Sequence, residues 1–175
     1  MKKIKLTLLL IVGLFATGWA QDNVIKLNIF SPIVRTFNMS YERKINASGS
    51  FQLGFFYTGY TDDGSSFKGF GITPEYRIYL SDTEAPEGFY LAPFVRYQKF
   101  DADDEFGNAG TLSGFGGGLV VGKQWIFKKK VALDLFIGPS YVNSSFEQTA
   151  GTDEISAGTF DGFGVRFGLN LGFAF

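Results

Sequence analysis

Phe163-Gly-Val-Arg-Phe-Gly-Leu-Asn-Leu-Gly-Phe-Ala-Phe175, at the end of the chain, decides the fold. Every odd position in it is apolar: Phe163, Val165, Phe167, Leu169, Leu171, Phe173, Phe175. The even positions hold Gly164, Arg166, Gly168, Asn170, Gly172 and Ala174. Successive side chains of a strand point to opposite faces, so this segment is a strand with one large, greasy face and one small or polar face.

Working upstream, the same two-faced pattern recurs seven times. Ile25, Leu27 and Ile29 oppose Lys26 and Asn28; Phe37, Met39 and Tyr41 oppose Asn38, Ser40 and Glu42. Phe51, Leu53, Phe55 and Tyr57 oppose Gln52, Gly54 and Thr58, with Phe56 out of phase. Ile72, Pro74, Tyr76, Ile78 and Leu80 oppose Thr73, Glu75, Arg77 and Tyr79. Phe89, Leu91, Val95 and Tyr97 oppose Ala92, Arg96 and Gln98, and Val131, Leu133, Leu135, Ile137 and Tyr141 oppose Ala132, Asp134, Gly138 and Ser140. The segment Leu112 to Phe127 is less regular, because Lys123 shares a face with Leu119, Val121 and Trp125. Either this lysine snorkels from the membrane edge or a bulge near Gly122 switches the register.

Turn-forming stretches divide these runs. Ser31-Pro32 to Thr36 and Lys44 to Ser48 read as tight connections, Asp63-Gly64 as a hairpin pair, and Lys128-Lys129-Lys130 as a short basic turn. Residues 81–88 form a further connection, and residues 101–110 and 144–159 read as longer polar loops. Helix is disfavoured by composition: 23 of 175 residues are Gly and 21 are Phe. Gly loses the most backbone freedom on ordering, and Phe suits a pleated surface.

Residues 1–20 are set apart as a cleaved signal peptide. Lys2, Lys3 and Lys5 precede an apolar run from Leu6 to Phe15, and Gly18 and Ala20 place small residues before a cut between Ala20 and Gln21. The apolar run is shorter than a helical span. Residues 21–175 then form one domain, and losing the leader shifts the formal charge from −1 to −4. A mildly acidic chain offers no field for nucleic acid. With no cysteine there are neither disulfides nor a lipidated anchor.

Eight strands in the mature chain leave room for about ten residues each plus turns, the spacing of a membrane barrel. An eight-stranded barrel has an interior just wide enough for side chains to fill. It has no space for most of these Phe residues, so the greasy face belongs outside, against lipid. The predicted fold is an all-β, eight-stranded, antiparallel up-and-down transmembrane β-barrel, whose closure leaves no unpaired edge in hydrocarbon. Two sheets sharing their apolar faces, a soluble sandwich, are the alternative this pattern leaves.

On these features the chain resembles the small bacterial outer-membrane β-barrel proteins, with an OmpA/OmpX-like barrel architecture. The leader, the eight two-faced strands and the closing Phe163–Phe175 segment carry the resemblance, together with Lys26-Leu-Asn-Ile-Phe-Ser-Pro32, Tyr41-Glu-Arg43 and Thr73-Pro-Glu-Tyr-Arg77. The resemblance implies a Gram-negative outer membrane and contacts with outer-membrane lipid, while an even strand count puts both termini on the periplasmic side and leaves the outward loops open to an extracellular ligand. The resemblance also implies that Phe167, Leu169, Leu171, Phe173 and Phe175 form a signal read by the barrel-assembly machinery. It brings no activity.

The chain contains no histidine. Serine therefore lacks its ordinary activating base, and a non-enzymatic role, structural or surface-interacting, is expected, with no catalytic residue and no cofactor. The polar face gathers Lys26, Glu42, Glu75, Arg77, Arg96, Asp134 and Arg166. In a narrow lumen such charges must pair or reach water. A structural network filling the bore is expected, and a small-solute channel or hydrophobic-ligand conduit is the alternative. Asp101, Asp103, Asp104, Glu105 and Gly107 have the look of a calcium loop, but Gly falls one place late and Leu112 stands where the closing Glu belongs, so no metal is expected.

Overall fold

The computed structural model describes residues 22–62, 64–105, 108–151 and 161–175. The proposed leader and its Ala20/Gln21 junction lie outside them, as do Gly107 and residues 152–159 of the 144–159 stretch. Eight strands follow in order: β1 (Asn23–Asn28), β2 (Thr36–Asn46), β3 (Gly49–Asp62), β4 (Ser65–Tyr79), β5 (Gly88–Asp103), β6 (Ala109–Phe127), β7 (Val131–Ala150) and β8 (Gly162–Ala174). Each pairs antiparallel with its sequence neighbours, and β1 pairs with β8, closing an up-and-down barrel. The two chain ends zip together, with Asn23 and Phe175 exchanging backbone hydrogen bonds.

Register follows the alternation. Odd residues of β8 and even residues of β4 face outward, and the exposed large apolar side chains include Leu27, Phe37, Leu53, Ile72, Val95, Val121, Leu135 and Leu171, one from each strand. The barrel is therefore inside out relative to a soluble protein, with Lys26, Glu42, Arg77 and Asp134 buried in its interior. A sandwich is ruled out by the closed ring of strands.

Lys123 faces outward, in register with Phe89 and Leu135, and β6 pairs without a break through Gly122. The bulge in this strand falls instead at Ala109/Gly110. The lysine ammonium lies 4.3 Å from the Phe89 ring centre and 5.1 Å from that of Trp125. Aromatic faces thus receive a cation that the apolar wall would otherwise reject.

Two expectations need correction. The stretches 101–110 and 144–159 are not simply loops: β5 runs to Asp103, β6 starts at Ala109 and β7 runs to Ala150. Beyond the apolar band a hairpin needs no greasy face, so these polar segments stay paired without the alternation that marks a membrane strand. The interior is also more aromatic than the polar-face reading implied. Phe56, Phe94, Phe100 and Phe136 point inward, each paired in register with a glycine that it covers: Gly71, Gly118, Gly69 and Gly168 respectively. A Cβ at Gly71 would sit 2.2 Å from the Phe56 ring, and one at Gly69 2.1 Å from Phe100. The glycine surface is what each ring packs over, which explains why this chain is rich in both residue types.

The turns obey local chemistry. Gly64, at φ +87°, closes the hairpin between the paired residues Asp62 and Ser65. Between β6 and β7, Lys128 and Lys129 both adopt left-handed backbone (φ 48° and 63°), and Lys130 N–H donates to Phe127 O. This is the backbone of a type I′ turn, which normally selects Asn-Gly.

Candidate functional site

The inward-facing charges meet in the half of the barrel nearer the chain termini. Lys26 Nζ lies 2.6 Å from Glu42 Oε2 and 3.4 Å from Asp134 Oδ2. Arg77 places Nε 2.7 Å from Glu75 Oε1, Nη2 3.0 Å from Asp134 Oδ2 and Nη1 3.4 Å from Glu42 Oε2. These side chains are buried from solvent. Isolated charges there would be severely destabilising, so the value of the arrangement lies in how completely it is paired.

Neutral groups complete the pairing. Tyr79 Oη donates to Glu42 Oε1 (2.7 Å) and Tyr90 Oη to Asp134 Oδ1 (2.7 Å), while Ser50 Oγ donates to Glu42. Asn170 Nδ2 donates to Asp134 Oδ2 at 3.0 Å. Gln124 Oε1 accepts from Lys26 and Arg77, and its Nε2 donates to Glu42 and to the Pro86 carbonyl. The guanidinium of Arg77 also stacks 4.2 Å over the Tyr90 ring. Every strand contributes: Lys26 from β1, Glu42 from β2, Ser50 from β3, Glu75, Arg77 and Tyr79 from β4, Tyr90 from β5, Gln124 from β6, Asp134 from β7 and Asn170 from β8.

The connection between β4 and β5 folds across the mouth beneath this network. Ala85 is buried against Tyr79 and Tyr90, and its N–H donates to Ala47 O. Lys44 reaches Glu84 at 2.6 Å across the adjacent turn. That hydrogen bond, with the lysine charge, holds the exposed Glu84 carboxyl below its ordinary value.

Glu75 links this layer to the one above. Its Oε2 lies 2.7 Å from Arg166 Nη1, and Arg166 stacks over Phe94 and Phe136 at 4.4 and 4.8 Å. Arg96 is different. Its Nε donates to Thr73 Oγ1 at 3.0 Å and its guanidinium lies 5.7 Å from the Phe56 ring centre, but no carboxylate forms an ion pair with it among the described residues. Arg96 and Arg166 both line a cavity of about 380 Å³ above the network.

All seven charged residues expected on the polar face thus project into the lumen, six of them in one connected network. Gln124, Tyr79, Tyr90, Ser50 and Asn170 are the members sequence reasoning missed. Tyr79 was legible as an inward position; Gln124 was hidden by the ambiguous phase of β6. Phe167, Leu169, Leu171 and Phe173 lie along β8 with Phe175 just past its end, and Leu169 and Phe167 pair with Leu135 and Ile137. The acidic stretch at the end of β5 spends groups on closing a hairpin: Thr111 Oγ1 donates to Asp101 (2.6 Å), and Asn108 N–H and Nδ2 both donate to Asp104.

A closed eight-stranded antiparallel barrel, apolar outside and ionic within, defines the structural class of this protein. The chain belongs to the family described as "Protein of unknown function (DUF3575)", whose profile matches residues 5–157. Among solved structures, it is similar to the crystal structure of Ail, the attachment invasion locus protein of Yersinia pestis, in complex with the heparin analogue sucrose octasulfate. Identity is 15%, the match covers 87% of this chain and 95% of that one, and the TM-score is 0.43. No curated protein matches.

Proposed function

We propose that this protein is a non-enzymatic, non-conducting barrel embedded in the outer membrane of a Gram-negative bacterium, presenting extended hairpins at the cell surface. The observation that carries the reading is the pairing of two faces: exposed large apolar side chains on all eight strands and a buried polar network inside to which every strand contributes. A wall of exposed aromatic and aliphatic side chains on a ring with no free edge suits hydrocarbon. Water or ions crossing the bore would have to break the buried pairs of Lys26, Glu42, Arg77 and Asp134.

In this reading the termini and the short turns at residues 47–48, 80–87 and 128–130 face the periplasm. The β3–β4, β5–β6 and β7–β8 hairpins stand outside, where an extracellular ligand would meet them. The polar network is structural: it fills the bore and fixes strand register. The one serine–carboxylate pair in it, Ser50 with Glu42, is buried and so has no access to a substrate. The barrel-assembly machinery and outer-membrane lipid are its partners in biogenesis.

Planar-bilayer recording tests the sealed lumen. Purified protein whose unboiled and boiled forms migrate differently on a gel, as a folded barrel should, is expected to give no steady single-channel current. A reproducible conductance would replace the plugged scaffold with the channel reading.

A further inference from the structure

β1 is far shorter than its neighbours, and this opens the wall. It pairs with β8 only from Val24↔Ala174 to Asn28↔Asn170, and with β2 only as far as Leu27↔Met39. β8 continues to Gly162 and β2 begins at Thr36, so above Asn28 these two strands have no strand between them among the described residues. The gap is spanned by a turn, Ile29 to Arg35, containing a single 3-10 turn at Ser31–Val34. Ile29 N–H donates to Leu169 O, the last backbone bond on this side. Phe167 lies eight residues from the chain end, about 20 Å along the barrel at the rise and tilt of a membrane strand. On the membrane placement proposed above, the gap is therefore level with the outer leaflet. Its surroundings are apolar and exposed: Ile33 (79%), Val34 (68%), Val165 (66%) and Phe167 (67%).

Beside the gap lies the 380 Å³ cavity, whose lining includes Arg96 and Arg166 as well as Val34, Val165 and Phe167. One cavity thus touches both luminal cations and residues of the lipid-facing wall. Among the described residues the luminal network sets four cations (Lys26, Arg77, Arg96, Arg166) against three carboxylates; Glu42 and Asp134 are held by Lys26 and Arg77, Glu75 by Arg77 and Arg166, and Arg96 is the cation without an ion-pair partner. A guanidinium held by one threonine keeps donors free for an oxyanion, the geometry for which Arg is best suited.

We infer that this cavity binds the anionic head of a single-chain amphiphile, a carboxylate or phosphate on Arg96 and Arg166, with the chain leaving through the gap between β8 and β2 along Val34, Val165 and Phe167. The cation supplies the head-group specificity, and the missing stretch of strand gives the chain its route to the outer leaflet.

The test uses mature protein folded in phosphatidylcholine vesicles and dodecanoate labelled with carbon-13 at the carboxyl. A distinct protein-bound carboxylate resonance is expected, displaced by unlabelled dodecanoate and not by dodecanol. Acetate and inorganic phosphate, which share the head-group chemistry but lack the chain, should displace it only at far higher concentration. Arg96→Gln should weaken binding by about 10- to 100-fold, the loss of a charge-assisted hydrogen bond, and Arg96→Lys should restore part of it. Dodecanol competing as well as dodecanoate, or unchanged affinity in a folded Arg96→Gln barrel, would overturn the head-group site. Acetate or phosphate binding as tightly as dodecanoate would overturn entry from the membrane. Protein that floats with the vesicles yet binds nothing refutes this site alone, whereas protein that fails to float refutes the membrane reading and the site with it.

Discussion

Glu75→Gln is the sharpest probe of the luminal network. Glu75 accepts from Arg77 Nε at 2.7 Å with one oxygen and from Arg166 Nη1 at 2.7 Å with the other, so it is the bridge between the two layers. Removing one partner of a buried ion pair costs about 3–5 kcal/mol, because the remaining charge stays buried. The Gln amide oxygen can still accept one hydrogen bond, worth about 1 kcal/mol, and Arg166 borders the cavity, where water can reach it. We therefore expect a loss of about 2–4 kcal/mol. Trp125 is the only tryptophan after residue 20, so its fluorescence reports urea unfolding from vesicles directly. Adding Arg166→Gln should not deepen the loss additively, since the second change removes the cation the first left unpaired; a coupling of about 1–3 kcal/mol is expected. A Glu75→Gln barrel within about 0.5 kcal/mol of wild type, or strictly additive changes, would show that the network is not energetically connected as drawn.

Three further outcomes follow from other parts of the structure. Leu135→Arg, four residues above the Val131 turn and facing outward, should cost about 2–4 kcal/mol near the bilayer midplane; urea titration in vesicles measures it, and a neutral result would place this wall outside lipid. Lys128→Asn with Lys129→Gly should stabilise the barrel by about 1 kcal/mol by relieving two left-handed non-glycine residues, read as a raised urea midpoint. Deleting Phe175 should lower the amount of barrel assembled in cells while leaving refolding into detergent intact; normal assembly in cells would make Phe175 ordinary interface packing.

Much of this architecture can be read from the sequence because lipid enforces period-two patterning. Within the apolar band every second residue must be greasy, so Ile72 to Leu80 and Phe163 to Phe175 declare both face and register, and Lys26, Glu42, Glu75, Arg77 and Asp134 fall inward by phase alone. Where lipid stops, the pattern stops, which is why the paired segments at 101–103 and 144–150 look like loops. The inward rings are illegible for another reason. Phe56 shows only as an aromatic out of phase, and it, Phe94, Phe100 and Phe136 are accommodated by Gly71, Gly118, Gly69 and Gly168 on neighbouring strands, a match that exists only once strands are in register. Gln124 is hidden likewise, since Lys123 and the run Gly116-Gly117-Gly118 blur the phase of β6. The shortness of β1 could not be anticipated, because Ile29 continues its alternation although the strand has ended at Asn28.

The central claim is that the odd positions of β7 face hydrocarbon while the even ones face a sealed interior. A nitroxide scan from Ala132 to Ile137, one introduced cysteine at a time in a chain that has none, measures this in vesicles through collisions with oxygen and with a water-soluble nickel chelate. We predict high oxygen and low nickel accessibility at 133, 135 and 137, and low accessibility to both at 132, 134 and 136. High nickel accessibility at the odd positions would place that face in water and contradict the membrane barrel.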